Sequence, residues 1–159
     1  MKRTPGILVL LSVLLFAGGL FADSDLHRQE PAVEGAWIRE APPVAKVMAG
    51  YLTIHNPAEE AVVLEGAESP LFDRIEIHRT GMKGGMASME RQQGVTIPAR
   101  GQVKFAPGGL HLMLMGPKKP LVAGSTATIT LRFEGGHALP AQFIVRAAAE
   151  GAAQHGDHH

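Results

Sequence analysis

The amino-acid sequence predicts an all-β domain, a sandwich or Greek-key barrel, on three observations. Short runs of alternating apolar and polar residues recur along the chain, clusters drawn from its 19 glycines and 11 prolines separate them, and beyond the N-terminal segment no stretch carries a long apolar stripe at helical period. The clearest strand is Thr126 to Phe133, where Ala127, Ile129, Leu131 and Phe133 alternate with Thr126, Thr128, Thr130 and Arg132 to give one buried and one wet face. Gly135-Gly136 stops it. Ahead of it come Ala32 to Arg39 around Trp37, Gly50 to His55 with Leu52 and Ile54 inward, Ala61 to Gly66, and Arg74 to His78 with Ile75 and Ile77 inward. Val95-Ile97, Val103-Phe105, Leu110-Met115 and Gln142-Arg146 complete the set.

The N-terminus reads differently. Lys2 and Arg3 precede an apolar run from Ile7 to Phe21 relieved only by Ser12, Gly18 and Gly19, the pattern of a secretory signal peptide over residues 1–22. Cleavage is expected after Ala22, with a cut after Gly19 as the alternative. The run falls short of the roughly 20 apolar residues that span a bilayer, so no stable membrane insertion is expected after processing. A linker over 23–31, a single domain over 32–148 and a flexible His-rich tail over 149–159 follow. The mature part, roughly 135 residues, is enough for one real hydrophobic core.

Fifteen basic and fifteen acidic residues cancel, and no basic stripe is present to neutralise phosphates, so nucleic acid is not an expected partner. The chain has no cysteine. Packing alone must hold the domain, a thiolate metal site is excluded, and no lipid anchor is expected near the cleavage region. A blue-copper electron-transfer site needs a Cys ligand and is excluded with it. An oxidative enzyme with an N-terminal histidine brace would require His as the first mature residue, whereas the expected cuts leave Asp23 or Leu20 there.

Against that background stand His78, Met89, His111 and Met113, spaced H-x10-M-x21-H-x-M. Two imidazoles and two thioethers form a donor set for copper(I), a soft d10 ion that accepts the polarizable thioether sulfur that magnesium, calcium and zinc largely ignore. Thioethers also survive an oxidising compartment in which thiolates are lost to disulfides. His111 and Met113 are i and i+2 on one strand, so both leave the same face roughly 7 Å apart, while Leu110, Leu112 and Leu114 point into the core. His78 is out of phase with Ile75 and Ile77, and its ring is expected to be accessible. Met89 comes from the glycine-rich segment Thr80 to Met89, which suggests a mobile flap or a hairpin loop and offers Met82 and Met86 as competing or auxiliary donors. Met115 shares the face of His111 and Met113 and is expected to pack under the site. His55, His27 and His137 read as surface histidines.

The run Pro107-Gly108-Gly109-Leu110-His111-Leu112-Met113-Leu114-Met115-Gly116, with His78 and Met89 at their offsets, resembles the periplasmic PCuAC copper chaperones. Ala36-Trp37-Ile38-Arg39, Ala49-Gly50-Tyr51-Leu52-Thr53-Ile54, Lys119-Pro120-Leu121 and Leu131-Arg132-Phe133-Glu134 extend the resemblance from about Val33 to Val145. It implies a cupredoxin-like β-barrel, with His78, Met89, His111 and Met113 as ligands to one Cu(I), in a non-enzymatic periplasmic protein. The resemblance also implies copper delivery to the CuA centre of a cytochrome oxidase subunit, alongside a thiol-containing Sco-type assembly factor. Arg79 stands where relatives commonly carry an acidic residue, which would set positive charge beside the metal and weaken binding. A monomer is expected.

The tail carries His155, Asp157, His158 and His159, a cluster able to chelate Cu(II), Ni(II) or Zn(II) as a low-specificity collector; as a polar terminus it reads equally well as disordered. Two uses of the four-residue site are compatible with the sequence, delivery of copper and periplasmic buffering or tolerance. A metal-free β-sandwich that mediates contacts is the alternative from another class, and it predicts no Cu(I) uptake.

Overall fold

A computed structural model of the chain describes residues 30–148. The expected signal peptide, most of the linker and the His-rich tail lie outside the described residues. The described chain is built from strands: β1 (Ala32–Arg39), β2 (Val47–Asn56), β3 (Val62–Glu68), β4 (Arg74–Lys83), β5 (Met86–Gln92), β6 (Val95–Ile97), β7 (Gly101–Phe105), β8 (Leu110–Met115), β9 (Thr126–Phe133) and β10 (Ala138–Arg146). A single 3-10 turn, Glu134–Gly136, joins the last two.

The strands pair in the order β5-β4-β8-β2-β1-β10-β9-β3-β6, with β7 also on β2. Contact between β3 and β4 at Ala67 and Ile75 closes the path on itself. The result is the expected cupredoxin-like barrel. First and last strands run parallel, Trp37 beside Ile144 and Arg39 beside Arg146, while the other pairings are antiparallel.

Alternation decides what fills the barrel. In β9 the inward residues Ala127, Ile129, Leu131 and Phe133 are buried, as the sequence requires. Ile38, Ile54, Leu64, Leu112, Leu114 and Phe143 join them with no exposed surface. Each contributes about 1.5–3 kcal/mol through apolar burial. Asn56 is the buried polar exception, and it is satisfied. Its Nδ2 donates to the carbonyls of Glu60 (2.8 Å) and Pro98 (3.1 Å), and its Oδ1 accepts from the Ala58 N–H (3.1 Å), tying the end of β2 to the loops at that end of the barrel.

Strand boundaries depart from the sequence reading by three residues or more at three places. β2 begins at Val47 rather than Gly50, because Val47, Met48 and Ala49 pair with Met115, Leu114 and Met113 of β8. β10 begins at Ala138 and runs through Pro140, which sits opposite Thr130. The largest difference is at Thr80 to Met89. In place of a flap, β4 continues to Lys83 and β5 starts at Met86, paired in register from Ile77–Gln92 to Lys83–Met86. Gly84 and Gly85, at φ 58° and 80°, make the two-residue turn. A hairpin with both central residues at positive φ matches the twist of its strands, so the glycines that weaken a strand in isolation here enable one.

Candidate metal centre

The site lies on the outer face of the sheet β5-β4-β8-β2. β4 and β8 run antiparallel with His78 directly opposite His111 and Glu76 opposite Met113. On the other side of β4, Met89 of β5 is opposite Thr80, diagonal to His78. Opposed residues in such a ladder have Cβ atoms about 4.5–5.5 Å apart and diagonal ones about 7–8 Å, within reach of long side chains. His78, Met89, His111 and Met113 therefore share one face and one neighbourhood. The His78 and His111 rings have centroids 6.1 Å apart. Met89, His111 and Met113 line one shallow depression, whose far wall is Arg39, Glu40, Ala41, Val47, Met48 and Ala49.

The strand phase that exposes these donors is enforced from below. Leu110, Leu112 and Leu114 are buried, so His111, Met113 and Met115 must face outward. Gly116 ends β8 at φ 61°, a left-handed conformation, with the Asp73 carboxylate where a side chain would begin. The Asp73 N–H donates to the carbonyl of Met115 at 2.9 Å, fixing this end of the strand.

The two imidazoles present different nitrogens. His111 Nδ1 is 3.1 Å from the Gly109 carbonyl oxygen. A carbonyl only accepts, so Nδ1 carries the proton and Nε2 keeps a free lone pair. His78 Nε2 lies 2.9 Å from Glu76 Oε2, and its Nδ1 is buried without a hydrogen-bond partner. Glu76 also faces Arg74 at 3.5 Å and Arg91 at 3.6 Å. The hydrogen bond from His78 holds the Glu76 carboxyl below its ordinary value, with the Arg91 and Arg74 charges adding to the effect against some desolvation.

Several sequence expectations are revised here. The His78 side chain is only 13% exposed, not freely accessible: β4 lies between β5 and β8, and Glu76 contacts the ring at Nε2. Arg79 alternates to the other face, opposite Glu90 and Leu110, so the positive charges beside the donors are those of Arg74, Arg91 and Arg39. Of the competing methionines, Met82 shares the face of Met89 near the hairpin tip, whereas Met86, paired with Lys83, alternates away from it. Both are largely exposed. Met115 receives the Arg74 Nε–H at 2.9 Å. His55 pairs with Glu34 at 2.8 Å on the surface, and His137 stacks on Phe133 with centroids 5.8 Å apart, more enclosed than expected. His155, His158 and His159 lie outside the described residues, as does His27.

Glu76 and Arg91 went unnoticed in the sequence. The signal for Glu76 was present, since period-2 alternation places the residue two before His78 on the same face. Arg91 required the β4–β5 register, which depended on recognising the Gly84-Gly85 turn.

Among the described residues, no three His, Cys, Asp or Glu side chains group so as to hold a metal ion. An ion held here by both imidazoles and further side chains would draw on the thioethers of Met89 and Met113, which share their face. The free lone pairs of two imidazoles and the adjacent thioethers suit a soft ion and offer little to a hard one.

A sequence model of the LpqE-like family, named for lipoproteins, matches residues 31–145. The chain belongs to the LpqE-like family. A Leifsonia xyli relative, Lxx21020, whose name also describes a lipoprotein, is 35% identical over 115 residues, 72% of this chain and 68% of its own length. Solved structures place this LpqE-like chain with PCuAC domains. The copper-bound PCuAC domain from PmoF2 superposes with a TM-score of 0.63 at 25% identity, over 74% of this chain and 92% of that one. Apo-DR1885 from Deinococcus radiodurans gives 0.59 at 30% identity over 92% and 93%. Its Cu(I) form gives 0.58 at 38% identity over 70% and 75%.

Proposed function

We propose that this LpqE-like protein is an exported, non-enzymatic copper(I) chaperone of the cell envelope, working in the periplasm. The observation that carries the reading is the meeting of His78, Met89, His111 and Met113 on one sheet face. The copper-bound PCuAC domain from PmoF2 and Cu(I)-DR1885, which share this chain's fold, support it. Export is supported by the N-terminal sequence and by the lipoprotein names of the family and its relative.

The geometry suits a cargo that must leave. Met89 sits on an edge strand and is 52% exposed, while His78 and His111 are anchored in the barrel wall. A recipient can displace the exposed thioether first and draw the ion off the two imidazoles by ligand exchange. The recipient in this reading is the CuA site of a cytochrome oxidase subunit, with a Sco-type thiol protein as co-factor in assembly. The tail histidines His155, His158 and His159 would gather Cu(II) near the barrel, and deletion of residues 152–159 should then lower Cu(II) stoichiometry.

The test is anaerobic Cu(I) titration against a competing chelator, followed by mixing of the loaded protein with an apo CuA domain. One Cu(I) bound and passed on supports delivery. Cu(I) bound but retained supports buffering instead, and no uptake rejects both.

A further inference from the structure

We propose that Glu76 is a positioning residue that fixes the tautomer of His78, so that His78 offers Nδ1, and not Nε2, to copper. The inference rests on the copper reading of the site and goes beyond it by naming the coordinating atom and the residue that selects it.

Three features of the structure converge. Glu76 Oε2 is 2.9 Å from His78 Nε2. An ionised carboxylate only accepts, so Nε2 carries the proton, and in the neutral imidazole that a metal requires Nδ1 then holds the lone pair. That Nδ1 is buried with no partner, an arrangement that costs free energy unless a ligand completes it. Glu76 is itself held in place: its side chain is 13% exposed, and Oε1 faces Arg74 at 3.5 Å and Arg91 at 3.6 Å while Oε2 takes His78. The arginines keep the carboxylate charged and oriented.

His111 solves the same problem with different parts. There the backbone carbonyl of Gly109 takes Nδ1–H at 3.1 Å and leaves Nε2 for the ion. The two histidines thus come to one site through opposite nitrogens, each fixed by an acceptor on the nitrogen it does not use. Metal-ligating imidazoles commonly donate their second N–H to a carboxylate or carbonyl in this way, and loss of such a partner costs about 10- to 100-fold in affinity.

The experiment is 15N NMR of histidine-labelled protein with and without Cu(I), together with chelator-competition affinities for wild type, Glu76→Ala and Glu76→Gln. In the wild type, His78 should be protonated at Nε2 before loading, and Cu(I) should shift Nδ1 while Nε2 keeps its proton. Glu76→Ala should mix the His78 tautomers and weaken Cu(I) binding about 10- to 100-fold, with the amide spectrum of the barrel unchanged. Glu76→Gln, whose carbonyl can still accept from Nε2, should recover most of that loss. Cu(I) on Nε2 of His78, or wild-type affinity in Glu76→Ala, overturns the role of Glu76 while leaving the chaperone reading intact. Failure of the wild type to take Cu(I) removes both. Should Glu76→Ala not fold, the wild-type spectra alone decide which nitrogen binds.

Discussion

His78 and His111 face one another across the β4–β8 ladder, ring centroids 6.1 Å apart, with opposite nitrogens tied to the protein. The pair is the fixed half of the site. β4 and β8 lie inside the barrel wall, each flanked on both sides by other strands, so the backbone that carries the two imidazoles is held in its ladders. The thioethers are the adjustable half: Met113 is partly buried on β8 and Met89 largely exposed on the edge strand β5.

That asymmetry orders the effects of ligand loss. His111→Ala and Met113→Ala should each weaken Cu(I) binding more than tenfold, or about 1.4 kcal/mol. Met89→Ala should weaken it less, because the exposed thioether gives up fewer supporting contacts. Chelator competition under anaerobic conditions measures the series, and a Met89→Ala loss larger than that of Met113→Ala contradicts the ranking.

Acid should release the metal. Protons compete with copper for imidazole nitrogen, whereas thioethers do not titrate, so affinity should fall as the solution is made acid. Cu(I) affinity constant from neutral pH to pH 5 would show that the histidines are not ligands.

Stability of the metal-free protein has a separate acid limb. The Glu76 carboxyl is held below its ordinary value of 4.5, first by the hydrogen bond from His78. A depressed carboxyl stabilises the fold above its unfolded value, and the contribution disappears as pH falls through the folded one. Thermal midpoints of wild type should therefore drop more steeply than those of Glu76→Gln below about pH 4.5. Parallel curves would mean that Glu76 does not contribute.

The alternation along β8 separates folding from binding. Leu112 has no exposed surface, and Leu112→Ala should cost about 2–5 kcal/mol of stability. Met113→Ala, one residue on and facing out, should leave the denaturation midpoint nearly unchanged while losing copper. Denaturant titration of both variants checks the contrast.

The hairpin turn should act at a distance. Replacing Gly84 and Gly85 together by Val forces side chains into left-handed backbone and should loosen the β4–β5 ladder that holds Met89 in register. Hydrogen exchange should rise from Met86 to Gln92 and Cu(I) affinity should approach that of Met89→Ala, with exchange in the barrel core unchanged.

Much of this was legible in the sequence because strand alternation is a local signal. Thr126–Phe133 and Leu110–Met115 declare their buried and outward residues without tertiary information, and the second places His111 and Met113 side by side. Thr80 to Met89 was harder. Its glycines weaken strand propensity, and only pairing in register with β4, through a turn that requires positive φ, makes it regular. The covering of His78 and the redirection of Arg79 were out of reach for a related reason: both depend on which strands flank β4, and the β4–β8 contact joins residues far apart in the chain.

The central claim is that two nitrogens and two sulfurs from three strands hold one copper ion. X-ray absorption at the copper edge of the Cu(I)-loaded protein reads that donor set directly. The expected spectrum has both nitrogen and sulfur scatterers, with the sulfur contribution reduced in Met89→Ala and in Met113→Ala. A spectrum fitted by nitrogen and oxygen alone, or one unaltered by either substitution, would contradict it.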